Sequence, residues 1–162
     1  MINMTEDVGN RVKTLVLGVG NPILMDDGIG IHVVRELKKL NLPGVEVEEL
    51  PASGLELLDM VVGYDKVIIV DAIRTKGGIP GDFYSLTEDD FVRSVHGASP
   101  HGINIPTALA MGRKIVPERM PKELTFIAVE VEEIELVSED LTPSVERALP
   151  KVVEKLVKEL GF

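Results

Sequence analysis

Asp26 and Asp27 stand side by side in the stretch Leu17-Gly18-Val19-Gly20-Asn21-Pro22-Ile23-Leu24-Met25-Asp26-Asp27-Gly28-Ile29-Gly30. An apolar, strand-like run, residues 12–17, precedes them, and Ile29, Val33, Val34 and Leu37 follow at helical spacing. The acids therefore belong to a loop at the carboxyl end of a strand, where open α/β sheets bind their ligands. A carboxylate pair there can hold a cation, polarise a water or exchange a proton. A structural job is also available, because an Asp before Gly28 can accept the first free N–H groups of the helix. The pattern accommodates one acid for each job. Gly18 and Gly20 match the start of G-x-G-x-x-G, but the third glycine position is Ile23 and the helix opens well downstream. Paired acids would also face a pyrophosphate with like charge, so a dinucleotide-binding turn is disfavoured.

A third acid, Asp71, ends the short run Lys66-Val67-Ile68-Ile69-Val70-Asp71. Continuous apolarity marks a strand buried on both faces, and it delivers Asp71 to the same sheet edge as the acid loop if the two strands are parallel neighbours. The alternative for Asp71 is a turn-starting acid bonded to its own loop. Three histidines are present. His32 lies inside the first helix and reads as structural. His96 and His101 flank Gly97-Ala98-Ser99-Pro100, and His101 is the stronger candidate because it opens a helical segment. Two carboxylates and one imidazole suit a borderline divalent metal such as nickel or zinc. Cysteine is absent, which removes thiolate ligands and a Cys nucleophile, and the scattered serines form no Ser-His-Asp pattern. Metal-assisted or acid–base hydrolysis is the class that remains.

The elements that must position these groups alternate between strand and helix. Strands are expected at 12–17, 45–50, 66–71 and 123–131, with a short edge strand at 83–86. Helices are expected from 29 to about 40, and at 54–62, 101–115 and 143–160. Pro106 is tolerable only in a first turn. Thr142 is suited to an N-cap and Pro143 to the first helical position. The 162 residues, 44% hydrophobic, fit one domain, 1–162, with 1–11 as a loose N-terminal extension. Lys plus Arg number 17 against 27 Asp plus Glu, so a nucleic-acid partner is disfavoured and cations or basic peptides are favoured. Neither a signal peptide nor a membrane-inserting stretch is evident, which points to the cytoplasm.

Four motifs in order, G-V-G-N-P-I-L-M-D-D-G-I-G, I-I-V-D-A-I with G-G-I-P-G behind it, S-P-H-G, and L-T-P-S-V-E, resemble those of the [NiFe]-hydrogenase maturation endopeptidases. The resemblance runs from about Lys13 to the C-terminus. It implies a three-layer α/β/α sandwich with a mainly parallel, twisted five-stranded sheet and one short antiparallel strand. It also implies a protease that removes the C-terminal extension of the hydrogenase large-subunit precursor after nickel insertion. The family's three metal-contacting side chains fall on Asp27, Asp71 and His101. Nickel would be supplied by the substrate, and no tightly bound metal is expected in the free enzyme. One departure concerns substrate choice. Where the family commonly has an acid followed by Gly-Gly-Thr, this chain has Glu49-Leu50-Pro51-Ala52-Ser53-Gly54, so Glu49 and Gly54 stand for the acid and a later glycine. Two other functions compete: a metal hydrolase carrying its own zinc, and a nickel or small-ligand binding module without protease activity.

Overall fold

The computed structural model describes residues 11–51, 54–94 and 104–162. Five strands, β1 (Thr14–Val19), β2 (Val45–Leu50), β3 (Lys66–Ile73), β4 (Phe83–Thr87) and β5 (Glu123–Glu130), form one sheet in the order β2-β1-β3-β5-β4. Four are mutually parallel and β4 is an antiparallel edge strand. The central strands carry apolar residues on both faces. Leu15, Leu17, Val67, Ile69, Leu124 and Phe126 point to one side, while Val16, Ile68, Val70, Ile127 and Val129 point to the other.

Each face requires a helical cover, since each fully buried aliphatic side chain contributes about 1.5–3 kcal/mol. Helices α1 (Ile29–Lys39) and α5 (Pro143–Glu159) cover the second face with Val33, Val34, Leu37, Val152 and Leu156. Helices α2 (Glu56–Val61), α3 (Glu88–Ser94) and α4 (Asn104–Ile115) cover the first, through Leu57, Phe91, Ile105 and Leu109. The result is the expected α/β/α sandwich. No helix among the described residues is long and apolar enough to cross a membrane.

Several boundaries differ from the sequence expectation, each for a physical reason. β1 begins at Thr14 because Val12 is exposed, and it continues through Gly18 and Val19, which pair with Glu49 and Leu50. β3 runs past Asp71, since Ala72 and Ile73 pair with Val129 and Glu130. α3 was not expected. Its signal was a capping Thr, because Thr87 Oγ1 accepts the Asp90 N–H at 3.1 Å ahead of Phe91, whose ring stacks on Phe126 at 3.9 Å. α4 is described over Asn104–Ile115, with Pro106 inside its first described turn as required, and the expected helical residues 101–103 lie outside the described residues. The expected loose segment 1–11 lies outside the described residues except for Arg11.

The glycines of the acid loop set how closely α1 approaches the sheet. A Cβ on Gly18 would stand 2.3 Å from the Gly30 carbonyl oxygen, and one on Gly30 would stand 2.3 Å from that of Val70 and 2.5 Å from that of Val19. The first turn of α1 thus rests on the carboxyl ends of β1 and β3 with no side chain between them. Alanine is about 1 kcal/mol better than glycine inside a helix. Here a methyl would meet two backbone carbonyls, an overpacking cost of about 3 kcal/mol. Gly30→Ala should therefore lower the unfolding free energy in denaturant titration by about 2 kcal/mol, and a stabilised variant would show that the helix can lift off without loss.

Candidate functional site

The chain leaves β1 toward β2 on one side, whereas β3 lies on the other side of β1, so the carboxyl ends of β1 and β3 diverge at the switch point of the sheet. Asp27 and Asp71 sit at this crevice. A 3-10 turn, Met25–Gly28, follows the loop after β1, runs straight into α1 and packs against β3. Asp71 lies on β3, and by the alternation of Val67 and Ile69 its side chain faces the α2–α3–α4 side. Both carboxyl groups are almost fully buried. Asp71 Oδ1 accepts the Ala72 N–H at 2.8 Å, and Asp27 Oδ2 accepts the Asn21 N–H at 3.1 Å. Asn21 is itself folded into a turn by its side chain, whose Oδ1 accepts the Ile23 N–H. Gly20 has φ of +143°, and a Cβ there would stand 2.0 Å from the Asp27 carbonyl oxygen, so the loop closes on its own backbone only with glycine.

The two adjacent acids do different work, and neither caps α1 by its side chain. Asp26 reaches away from the crevice to residues 132–142, the connection between β5 and α5. Its Oδ2 accepts the Glu132 N–H at 3.0 Å, the Glu133 N–H at 3.2 Å and the Thr142 hydroxyl at 2.7 Å, while Oδ1 accepts the Thr142 N–H at 2.7 Å. These bonds satisfy backbone donors that would otherwise be buried without partners. Thr142 does occupy the N-cap position of α5, but its hydroxyl is given to Asp26 and makes no cap bond, which corrects the simple capping expectation. Asp27 is left to the crevice, next to the N-terminal end of the 3-10 turn and α1, where the helix dipole favours a negative charge.

The other expected residues fall in different places. His101 lies outside the described residues, as does His96. Among the described residues no three His, Asp or Glu side chains gather into a metal-holding group. Glu49 is on the exposed part of edge strand β2 and forms an ion pair with Arg35 of α1 at 2.9 Å, a contact of small energy at the surface. Gly54 has φ of +141° and turns the chain toward α2. The end of β2 is nevertheless tied to the acid loop, since the Gly20 N–H donates to the Leu50 carbonyl at 3.3 Å. His32 is structural, as expected. Burial, and next the Arg35 charge, lower its pKa, while the nearby Glu139 and Asp140 oppose the shift.

One buried acid escaped the sequence reading. Glu130 ends β5, is about 1% exposed, and faces the same side as Asp71, two residues beyond Ala128, the register partner of Asp71. Its carboxylate accepts the Thr75 N–H at 3.1 Å, the Thr75 hydroxyl, and the Tyr84 hydroxyl at 3.3 Å. Gly78 lies directly over it. Glu130 thereby folds the Gly-rich loop after β3 down onto the sheet. Its signal was the one that marked Asp71, an acid closing an apolar strand.

A family model described as hydrogenase maturation protease matches residues 31–159, beginning just after the acid loop. The Hydrogenase 2 maturation protease of Escherichia coli (strain K12) is 33% identical over 152 residues, which cover 92% of this chain and 91% of that protein. The solved structure of the hydrogenase maturating endopeptidase HybD from E. coli aligns with a TM-score of 0.77 at 31% identity, covering 92% of this chain and 94% of that one. The [NiFe] hydrogenase maturation protease HybD from Thermococcus kodakarensis aligns with a TM-score of 0.77 over 93% of this chain and 99% of its own; at 23% identity it bears on the fold alone.

The division between Asp26 and Asp27 is measurable. Asp26→Ala strips four donors of one buried acceptor and should cost about 3 kcal/mol or more in chemical unfolding. Asp27→Asn keeps an acceptor for Asn21 and should cost clearly less; equal losses would mean that both acids serve the fold.

Proposed function

The chain belongs to the hydrogenase maturation protease family and is a hydrolase, and on that premise we propose that it is the endopeptidase that removes the C-terminal extension of a [NiFe]-hydrogenase large-subunit precursor. The observation that carries this reading is the placement of two buried carboxylates, Asp27 and Asp71, at the switch point between β1 and β3. Nickel enters as part of the substrate. Asp27, Asp71 and His101 are the side chains that bind it, with hard and borderline donors suited to a divalent ion already held elsewhere by the precursor. The free enzyme in this account is metal-poor, and the nickel of a loaded precursor draws the cleavage site into the crevice.

The hydrolysis needs no covalent intermediate, in keeping with a chain that has no cysteine. A water attacks the scissile carbonyl and passes its proton to a carboxylate of the crevice. The same group returns the proton to the leaving amine as the peptide bond breaks. The products are the shortened large subunit and a free C-terminal peptide. Asp26 stays outside this chemistry, because its lone pairs are committed to residues 132–142. The β2 end with Glu49, and Gly54 beyond it, form the rim at which one precursor is chosen over another.

Intact-mass spectrometry of the precursor tests the reading. Nickel-loaded precursor should lose one discrete C-terminal peptide, and nickel-free precursor should stay whole. Asp27→Asn should lower kcat/KM at least about 100-fold. Cleavage regardless of nickel would remove the recognition step, and full activity of Asp27→Asn would remove the assigned site.

A further inference from the structure

The clasp between the acid loop and residues 132–142 also shapes the surface beside the crevice. The Met25 N–H donates to the Ser138 carbonyl at 2.9 Å, and the Ser138 N–H donates to the Ile23 carbonyl at 2.9 Å. Leu24 and Ser138 thus form a parallel bridge, which sets Ile23 and Val137 next to each other on one side of it. Ile23 is 49% exposed, Leu136 62% and Val137 80%. Single exposed aliphatic residues are ordinary on a protein surface. Ile23 and Val137, set side by side by backbone hydrogen bonds close to the turn that carries Asp27, with Leu136 adjoining Val137 in the chain, form a patch of the kind that marks an interaction site.

The charge around this patch is one-sided. Residues 130–142 contain Glu130, Glu132, Glu133, Glu135, Glu139 and Asp140 and no Lys or Arg, in a chain of net charge -10. Glu135, Glu139 and Asp140 are exposed. Arg74, whose guanidinium donates to the Glu132 carbonyl, stands at one end of the segment. A second copy of this chain docking through the same face would set these acids against themselves, because a two-fold interface is self-complementary. A basic partner would meet a complementary field.

We propose that the apolar lip of Ile23, Leu136 and Val137 with its acidic surround is the dock for the substrate protein, taking a segment of the large-subunit precursor whose apolar side chains are flanked by Lys or Arg. The inference rests on the proteolytic reading above and deepens it. The lip is held by the bonds that position the acid loop, so a precursor seated on it has its adjoining chain at Asp27. The backbone on which Ile23 and Val137 stand is tied down by these hydrogen bonds, so little backbone freedom remains to be lost when the partner arrives.

The test is equilibrium binding and cleavage of a [NiFe]-hydrogenase large-subunit precursor by the wild-type protein, Val137→Ser, and Glu135→Gln/Glu139→Gln. Each variant should bind at least about tenfold more weakly and raise KM to match, with kcat within about twofold. Melting temperatures should be unchanged, since these side chains are exposed. Added salt should weaken wild-type binding more steeply than that of the double variant. Unaltered binding by both variants would overturn the proposal. So would sedimentation showing a wild-type dimer that Val137→Ser dissociates, because the lip would then be a self-association surface. If the wild-type protein binds the precursor through this lip but leaves it uncut, the proteolytic reading fails while the dock stands.

Discussion

One buried carboxylate, Asp26, holds together parts of the chain more than a hundred residues apart. Its two oxygens accept two backbone N–H groups from the start of the β5–α5 connection, and one N–H with one hydroxyl from its end. A carboxylate accepting from several donors at once, those of Thr142 buried and those of Glu132 and Glu133 part-buried, is among the stronger polar interactions a fold can use. The loop after β1, the entry to α5 and the exposed segment between them all take their positions from it. Removing it would leave the donors buried and the loop free to swing, and the neighbouring Asp27 would lose its mounting.

Asp27 is placed from the other side by close backbone packing. Gly18 and Gly30 bring α1 onto the ends of β1 and β3, while Gly20 lets the loop fold back against the Asp27 carbonyl. Asp71 needs no such device, because β3 is the middle strand of the sheet and is paired on both sides. The crevice is therefore built on rigid elements, with one acid from a strand and one from a clasped turn. A site assembled this way keeps its geometry without a bound ligand, which lowers the reorganisation that a protein substrate must drive.

Much of this was legible in the sequence because local patterns and tertiary demands agree. The continuous apolar run ending at Asp71 reads as a strand buried on both faces, and Val45–Leu50, read as a strand after the Pro43-Gly44 stop, matches β2 to the residue. The acid pair stands out in the sequence as a candidate site, but not which acid does which job, because that choice is made by Glu132, Glu133 and Thr142 far along the chain. Thr142 misled for the same reason: its local role as a cap was displaced by a long-range acceptor. Glu130 closes its apolar strand as Asp71 does, but it also begins the acidic stretch after β5, which hides that signal among exposed neighbours. The start of β1 was set too early because Val12 is apolar yet has no face to pack on.

These parts converge on the proposed function. A clasp orders the loop, glycines bring the helix down on the sheet, and two carboxylates stand at the switch point, where we propose that they meet a substrate carrying nickel. Its central claim is that those carboxylates touch the substrate's metal. The most direct measurement is nickel K-edge X-ray absorption of a complex between nickel-loaded precursor and the protein, with Asp27→Asn and Asp71→Asn complexes as comparisons. The account predicts additional oxygen scattering at nickel on complex formation that is reduced in each variant. A spectrum identical to that of the precursor alone would contradict it.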